Sequence, residues 1–294
     1  MITTLSFIRN HPLNDGRLLE AISRFLRWQI SSRIFRRAAV IPFVNNSRLL
    51  ISLGMTGATQ NLYTGLHEFC DMGFLLHALR PGDLFVDVGA NVGTYTILAS
   101  RAIGAHVISF EPIPATFESL LDNIYLNRAI ELVDARNVAV SRAPGTLRIT
   151  SSLDTMNHVL SGDESASAVL DVPAVTLDSI LEVSVPFLIK MDVEGFETEV
   201  VAGATHTLKK GSLKALIVET NQSGLRYGTN DQTIDRQIRS FGFLPFTYDP
   251  HTRSLIELCG PAMISGNTIY IRDVEFVRQR LKTAPAFAIR DKRI

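Results

Sequence analysis

The chain is poor in cysteine, tryptophan and net charge. Cys70 and Cys259 are the two cysteines in 294 residues, and they form neither a metal-ligand spacing nor a disulfide framework. A cystine-stapled secreted scaffold is thereby excluded, and a reducing compartment is expected. No apolar run reaches the roughly 18 residues of a spanning helix. The opening stretch, Met1 to Pro12, lacks the basic head and long apolar segment of a signal peptide, so a cytoplasmic location is expected. There is no internal repeat and no low-complexity tract. Formal net charge is zero.

The zero hides an uneven distribution. Residues 1–40 carry seven arginines against Asp15 and Glu20, a net +5; residues 272–294 carry a net +4; the middle carries −9. Basic ends around an acidic body argue against nucleic acid as the main partner. They allow contact with an anionic membrane surface, as at the inner face of a cell membrane, or with a phosphorylated carrier. Hydrophobic residues make up 46% of the chain, ample for a large core. The expected division is an extension over 1–65, one α/β domain over 66–275, and a basic tail over 276–294.

Within the extension, residues 17–35 show helical periodicity. Leu18, Leu19, Ile22, Phe25, Leu26, Ile30 and Ile34 fall near one face. The plainer reading is a helix packed on the domain or on a second subunit of a homodimer. The other is a helix lying on a membrane, with Trp28 at the interface. Ala39–Ile41 and Leu49–Ile51 flank Asn45-Asn46-Ser47 as in a hairpin. A helix over 66–79 ends at Pro81-Gly82-Asp83.

From residue 84 onward the chain alternates strands (84–88, 106–110, 132–140, 186–191, 214–219) with helices (92–102, 114–127, 177–182, 196–210, 230–240). That alternation predicts a parallel sheet with helices on both faces. A polar insertion with short β-like pieces, residues 144–176, interrupts it after the third strand and includes Asn157-His158 and Ser161 to Ser165. At the far end, Phe243–Tyr248 and Asn267–Ile271 have no helix signal between them and should pair antiparallel.

The densest signal is Leu84 to Tyr95: a buried strand ending in Asp87-Val88-Gly89-Ala90-Asn91-Val92-Gly93, then a helix start. Small residues at such a turn let the backbone approach an adenosine cofactor. Glu111 follows Gly89 by 22 positions at the end of the next apolar run, where a ribose-binding carboxylate belongs. A dinucleotide site wants glycine at the middle place, and Asn91 stands there. S-adenosylmethionine (SAM) carries no phosphate but has an ammonium and a sulfonium, and Asp87 suits that positive charge. SAM is the preferred cofactor over NAD.

A second cluster, Lys190-Met191-Asp192-Val193-Glu194-Gly195-Phe196-Glu197, lies where a strand turns into a helix. Glu194 and Glu197 would be favourable at a helix N-terminus in any protein. Asp192, at the strand tip, is the first candidate for a general base, and His158 the second. His67, His77, His106, His206 and His251 show no ligand spacing and are read as structural. Asp192 with Glu219 and Asn221 could present oxygens to Mg²⁺, the lesser reading.

These blocks, with Phe110-Glu111-Pro112, Asn123, Asn127, Asn137 to Val140 and Leu177-Asp178, resemble the FkbM family of methyltransferases over residues ~68–220. The resemblance implies a Rossmann-like class I SAM-dependent methyltransferase fold: a mostly parallel seven-stranded sheet with an antiparallel terminal hairpin. It implies O-methylation of a sugar, glycan, glycolipid or polyketide-type hydroxyl. It also implies that Asp87, Gly89, Asn91 and Gly93, with Tyr95 nearby, form the methionine-side turn, that Glu111 holds the ribose, and that Asn137 and Val138 flank the adenine. Lys190, Asp192 and Glu194 would line the methyl-transfer face. An NAD-dependent oxidoreductase and a non-catalytic cofactor-binding module are the competing readings.

Overall fold

The computed structural model describes residues 2–151, 156–162, 164, 166–262 and 266–294. Asp163 and Ser165 of the polar insertion lie outside the described residues. The chain opens with α1 (Ile2–Asn10) and α2 (Leu18–Phe35), then the hairpin β1 (Ala39–Pro42) and β2 (Arg48–Ile51). Two helices come next, α3 (Thr56–Thr64) and α4 (Phe69–Ala78). The α/β part begins with β3 (Leu84–Val88), α5 (Thr94–Ile97) and a π-helical turn over Leu98–Ile103. It continues with β4 (His106–Phe110), α6 (Pro114–Leu126) and β5 (Val133–Arg136).

The insertion supplies β6 (Ala139–Val140), β7 (Gly145–Thr150) and β8 (Val169–Val175), a separate three-stranded sheet in the order β6-β8-β7. The main run resumes with α7 (Leu177–Ile180), β9 (Leu188–Met191), α8 (Glu197–Ala202), α9 (Thr205–Lys209), β10 (Ala215–Glu219) and α10 (Asp231–Ser240). It closes with β11 (Leu244–Asp249), β12 (Ser254–Glu257), β13 (Asn267–Ile271), α11 (Val274–Lys282), and a small hairpin, β14 (Ala288–Ile289) and β15 (Lys292–Arg293).

The main sheet runs β12-β11-β13-β10-β9-β3-β4-β5. Strands β3, β4, β5, β9 and β10 are parallel, while β13 runs antiparallel between β10 and β11. This is the Rossmann-like α/β architecture with the expected antiparallel end. An eighth strand, β12, pairs on the edge of β11. The sequence did not mark it because Ser254 and Glu257 leave too short an apolar run. Alternate residues of each strand feed two apolar layers. Phe85 joins the layer that holds α4 and both chain ends, while Val86 and Val88 join the layer under α7 to α10. The order reverses at β3: the chain moves outward through β4 and β5, then returns to β9 on the other side. That switch point opens a crevice at the carboxyl ends of β3 and β9.

Three expectations change. The strand read over 132–140 is broken at Asn137, whose Nδ2 donates to the carbonyls of Glu111 (2.8 Å) and Pro112 (3.0 Å). The chain thereby leaves the main sheet, and β6 joins the insertion sheet instead. The apolar positions of α2 do not share one face. Phe25 and Trp28 are buried, with Phe25 edge-on to Tyr63 of α3 at 5.2 Å between centroids, while Leu26, Ile30 and Ile34 are exposed. Trp28 is therefore no interfacial anchor; burying each such side chain stabilises by about 1.5–3 kcal/mol. Residues 276–294, expected as a basic tail, continue α11 and fold onto the domain. Phe287 and Ile289 enter the same core as Ile8, Leu13 and Phe25, and Arg290 donates to the carbonyl of Asn61 at 2.9 Å. Both basic ends meet on one side of the molecule, tied by Arg17 to Asp291.

Candidate active site

The turn after β3 is shaped by steric necessity. Gly89 has φ +78°, and a Cβ there would lie 1.9 Å from the carbonyl oxygen of Asp192. No side chain fits, so the β3 and β9 turns touch through backbone alone. Asn91 is also left-handed, at φ 52°. Its backbone N–H donates to Glu111 Oε2 (3.0 Å), and its own Oδ1 accepts from the N–H of Val92 (2.8 Å). An asparagine at this place stabilises the turn by local bonding that glycine lacks.

Asp87 sits one residue before the end of β3 and is 1% exposed. Its Oδ2 accepts from the Thr96 hydroxyl at 2.7 Å. Its Oδ1 is buried and has no partner among the described residues. Burial raises its pKa, with Lys190 working in the opposite direction. Glu111, at the end of β4, accepts from the N–H of Ile113 (2.9 Å) as well as that of Asn91. Burial pushes its carboxyl up to about 7, despite both N–H donors.

Across the crevice, Lys190 Nζ lies 2.6 Å from Asp192 Oδ2 and 4.7 Å from the Tyr95 ring centroid. Burial alone would lower the lysine pKa. Asp192, Glu68 and Asp87 outweigh it and hold the ammonium above its ordinary value. Glu194, with φ 54°, is pushed up to about 7 by burial and the neighbouring Asp192. Glu197 Oε1 accepts from the N–H groups of Val193 (2.9 Å) and Gly195 (3.3 Å), so it serves its own turn. Glu219, from the end of β10, has its pKa raised by burial and then by Asp192.

Asp87, Gly89, Asn91, Tyr95, Glu111, Val138, His158, Lys190, Asp192 and Glu194 line one cavity of about 270 Å³. Gly93 and Asn137 are not on its wall. Asn137 donates to the carbonyls of Glu111 and Pro112 and braces that loop, whereas Val138 is on the cavity wall. His158 is on the wall but engaged at both nitrogens: Nδ1 with the Met156 carbonyl and Nε2 with Glu164 Oε1, each at 2.9 Å. Both ring nitrogens are thereby held by partners within the insertion. Asn221 is also engaged, its amide on Glu219 (2.7 Å) and its Oδ1 on the Ser223 N–H (2.8 Å). Glu194 takes its place beside Asp192 and Glu219, with one oxygen from each within 4.8 Å of the others.

The sequence reading missed two titratable residues of the wall. Glu68, just before α4, accepts from the Tyr95 hydroxyl (2.7 Å) and from Asn267 Nδ2 (2.9 Å). Burial opposes its ionised form, but His67, Lys190 and the two hydrogen bonds carry its pKa below the ordinary value. Its signal was an acid leading a mostly apolar helix that carries a second acid, Asp71, in its first turn. His67, read as structural, lines the cavity with a buried Nδ1 that has no partner among the described residues.

Residues 87–245 match the sequence profile described as the methyltransferase FkbM domain. The hexuronic acid methyltransferase AglP of Haloferax volcanii is 33% identical over 150 residues, which cover 49% of this chain and 59% of that protein. The 31-O-demethyl-FK506 methyltransferase FkbM of Streptomyces tacrolimicus is 39% identical over 97 residues, covering 32% and 36%. The methyltransferase sdnD of Sordaria araneosa is 28% identical over 193 residues, covering 54% and 74%. The chain thus spans less than two thirds of the first two relatives, and more of the third. The profile match takes in more than half the chain and contains the Gly89 turn, Glu111 and the Lys190–Asp192 pair, and on it the chain belongs to the FkbM methyltransferase family.

Proposed function

We propose that the chain is a SAM-dependent O-methyltransferase acting on a hydroxyl of a sugar, glycan or polyketide-type acceptor. One observation carries this reading: the buried Oδ1 of Asp87, without a partner among the described residues, in a residue of the cavity wall beside a turn closed to any side chain at position 89. A buried carboxylate oxygen suits an ammonium group and repels a pyrophosphate. That supports SAM over a dinucleotide and speaks against hydride transfer.

The other residues fit the same ligand. Glu111 has a lone pair on each oxygen beyond those its N–H donors use, enough for two ribose hydroxyls. When bound, SAM supplies an electrophilic methyl on a sulfonium. Asp192 stands directly over the Gly89 turn. Lys190 fixes its Oδ2, which leaves Oδ1 to take the proton of an acceptor hydroxyl aligned for in-line attack. The Lys190 ammonium compensates the carboxylates around it, and Mg²⁺ is not needed for that purpose.

The acceptor wall argues for a hydroxyl. Asp192, Glu194 and Glu219 offer carboxyl oxygens as hydrogen-bond partners for a polyol. The names of the relatives, a hexuronic acid and a 31-O position, are consistent with oxygen acceptors. The test is mass spectrometry of glycans and glycolipids from cells with and without the protein, and with Asp192→Asn. The expected result is a gain of one methylene mass only with wild type. SAM binding without any methylated product from a broad hydroxyl panel would refute the assignment.

A further inference from the structure

We infer that the outer face of α2 is a docking surface for an anionic lipid bilayer. This inference does not depend on the methyl-transfer reading. At about 100° per residue, Leu19, Leu26, Ile30 and Ile34 fall in a stripe about 80° wide. Ala21, Phe25, Trp28 and Ser32 point to the opposite side and are buried. The helix therefore has two faces: one spent on packing against α3, the other apolar and turned outward. Leu19 is 84% exposed, Ile30 59% and Ile34 67%.

The chemistry of the surround identifies the occupant. Arg27 and Arg33 flank the stripe on its two sides, and Arg36 and Arg37 lie just beyond its end; all four are exposed. Glu20, exposed beside Leu19 at the start of α2, is the one acidic residue of that helix. A second copy of the chain would set these arginines against each other. An anionic bilayer would take the apolar stripe into its interface and the guanidinium groups onto its headgroups. The helix is not a spanning segment, since no described helix is long and apolar enough to cross a membrane. Its inner face packs on α3, whose Thr56, Gly57, Ala58 and Gln60 line the cavity, so the surface lies one helix away from the site.

The test is flotation of the full chain with vesicles of equal parts phosphatidylglycerol and phosphatidylcholine, and with phosphatidylcholine alone. The expected result is binding to the anionic vesicles at low salt, release by about tenfold at high salt, and no binding to the neutral ones. Ile30→Ser with Ile34→Ser, and separately Arg27→Glu with Arg33→Glu, should each lower the bound fraction by about tenfold while leaving thermal stability unchanged, because these side chains are already exposed. No flotation at low salt would overturn the inference. So would equal binding of both vesicle types, or flotation unchanged in both variants. A wild-type dimer that becomes monomeric in the Ile30→Ser, Ile34→Ser variant would also overturn it, by showing that a second copy covers the face.

Discussion

Replacing Glu111 by alanine tests the cofactor site quantitatively. The side chain is 5% exposed, and both its oxygens already accept backbone N–H groups. In the proposed complex it also accepts two ribose hydroxyls, so its removal deletes two hydrogen bonds to a charged group. At about 1.5–3 kcal/mol each, and with some loss of positioning on both sides, about 3 kcal/mol is expected, or roughly 150-fold in Kd. The effect must depend on pH. Burial holds the free carboxyl at about 7, above its ordinary value, so it is ionised above that pH and protonated below it. One pH unit below, wild-type affinity should fall by up to about tenfold, and the gap to Glu111→Ala should narrow by the same factor. Calorimetric titration of both proteins with SAM on either side of neutrality gives all four affinities. Equal affinities in alkaline buffer, or wild-type affinity that ignores pH, would refute the placement of the ribose on Glu111.

The same geometry makes further predictions. Asp192→Asn should keep SAM binding and lower turnover by at least about 10²-fold, read by a methyl-transfer assay; normal turnover would remove it from the chemistry. Gly89→Ala should abolish SAM binding and lower thermal stability by several kcal/mol, since its Cβ would lie 1.9 Å from a backbone oxygen that has no room to retreat. The ligand-free protein should lose stability as pH rises through the interval from about 4.5 to about 7. Glu111, Glu194 and Glu197 hold protons in the fold that the unfolded chain has released, so the stability present below the unfolded value is lost through the folded one. Melting curves across that range check the sign. EDTA should leave the activity of the wild type unchanged, because Lys190 supplies the compensating charge; loss restored by Mg²⁺ would put a metal on the Asp192–Glu194–Glu219 group.

The parts legible in the sequence were those fixed by neighbours in the chain. The β3 turn could be read because Gly89 and Asn91 answer to local backbone geometry, and β13 because a strand without a preceding helix must pair antiparallel. Features set from afar were not legible. The turn to β6 depends on Asn137 reaching Glu111 and Pro112, about a strand away. Helix α3 contains Gly57, Thr56 and Thr59, poor helix formers held by packing on α2 and by Arg24 donating to the Tyr63 carbonyl at 2.9 Å. Glu68 is tied to the site by Tyr95 and by Asn267, the latter from the far end of the chain. The amphipathic signal of α2 was visible, but its division into a packed and an open face was not, because periodicity counts apolar residues without saying what they touch. His158 was found as a polar residue in a loop, yet its partner Glu164 decides what it can do.

The most direct test of the central claim is calorimetry of wild type and Asp87→Asn with SAM and with NAD. The expected result is one-to-one SAM binding by wild type, no measurable NAD binding, and a large loss of SAM affinity in Asp87→Asn, whose amide has one oxygen and loses the charge that faces the ammonium. NAD binding as tight as SAM, or SAM affinity unaltered in Asp87→Asn, would contradict it.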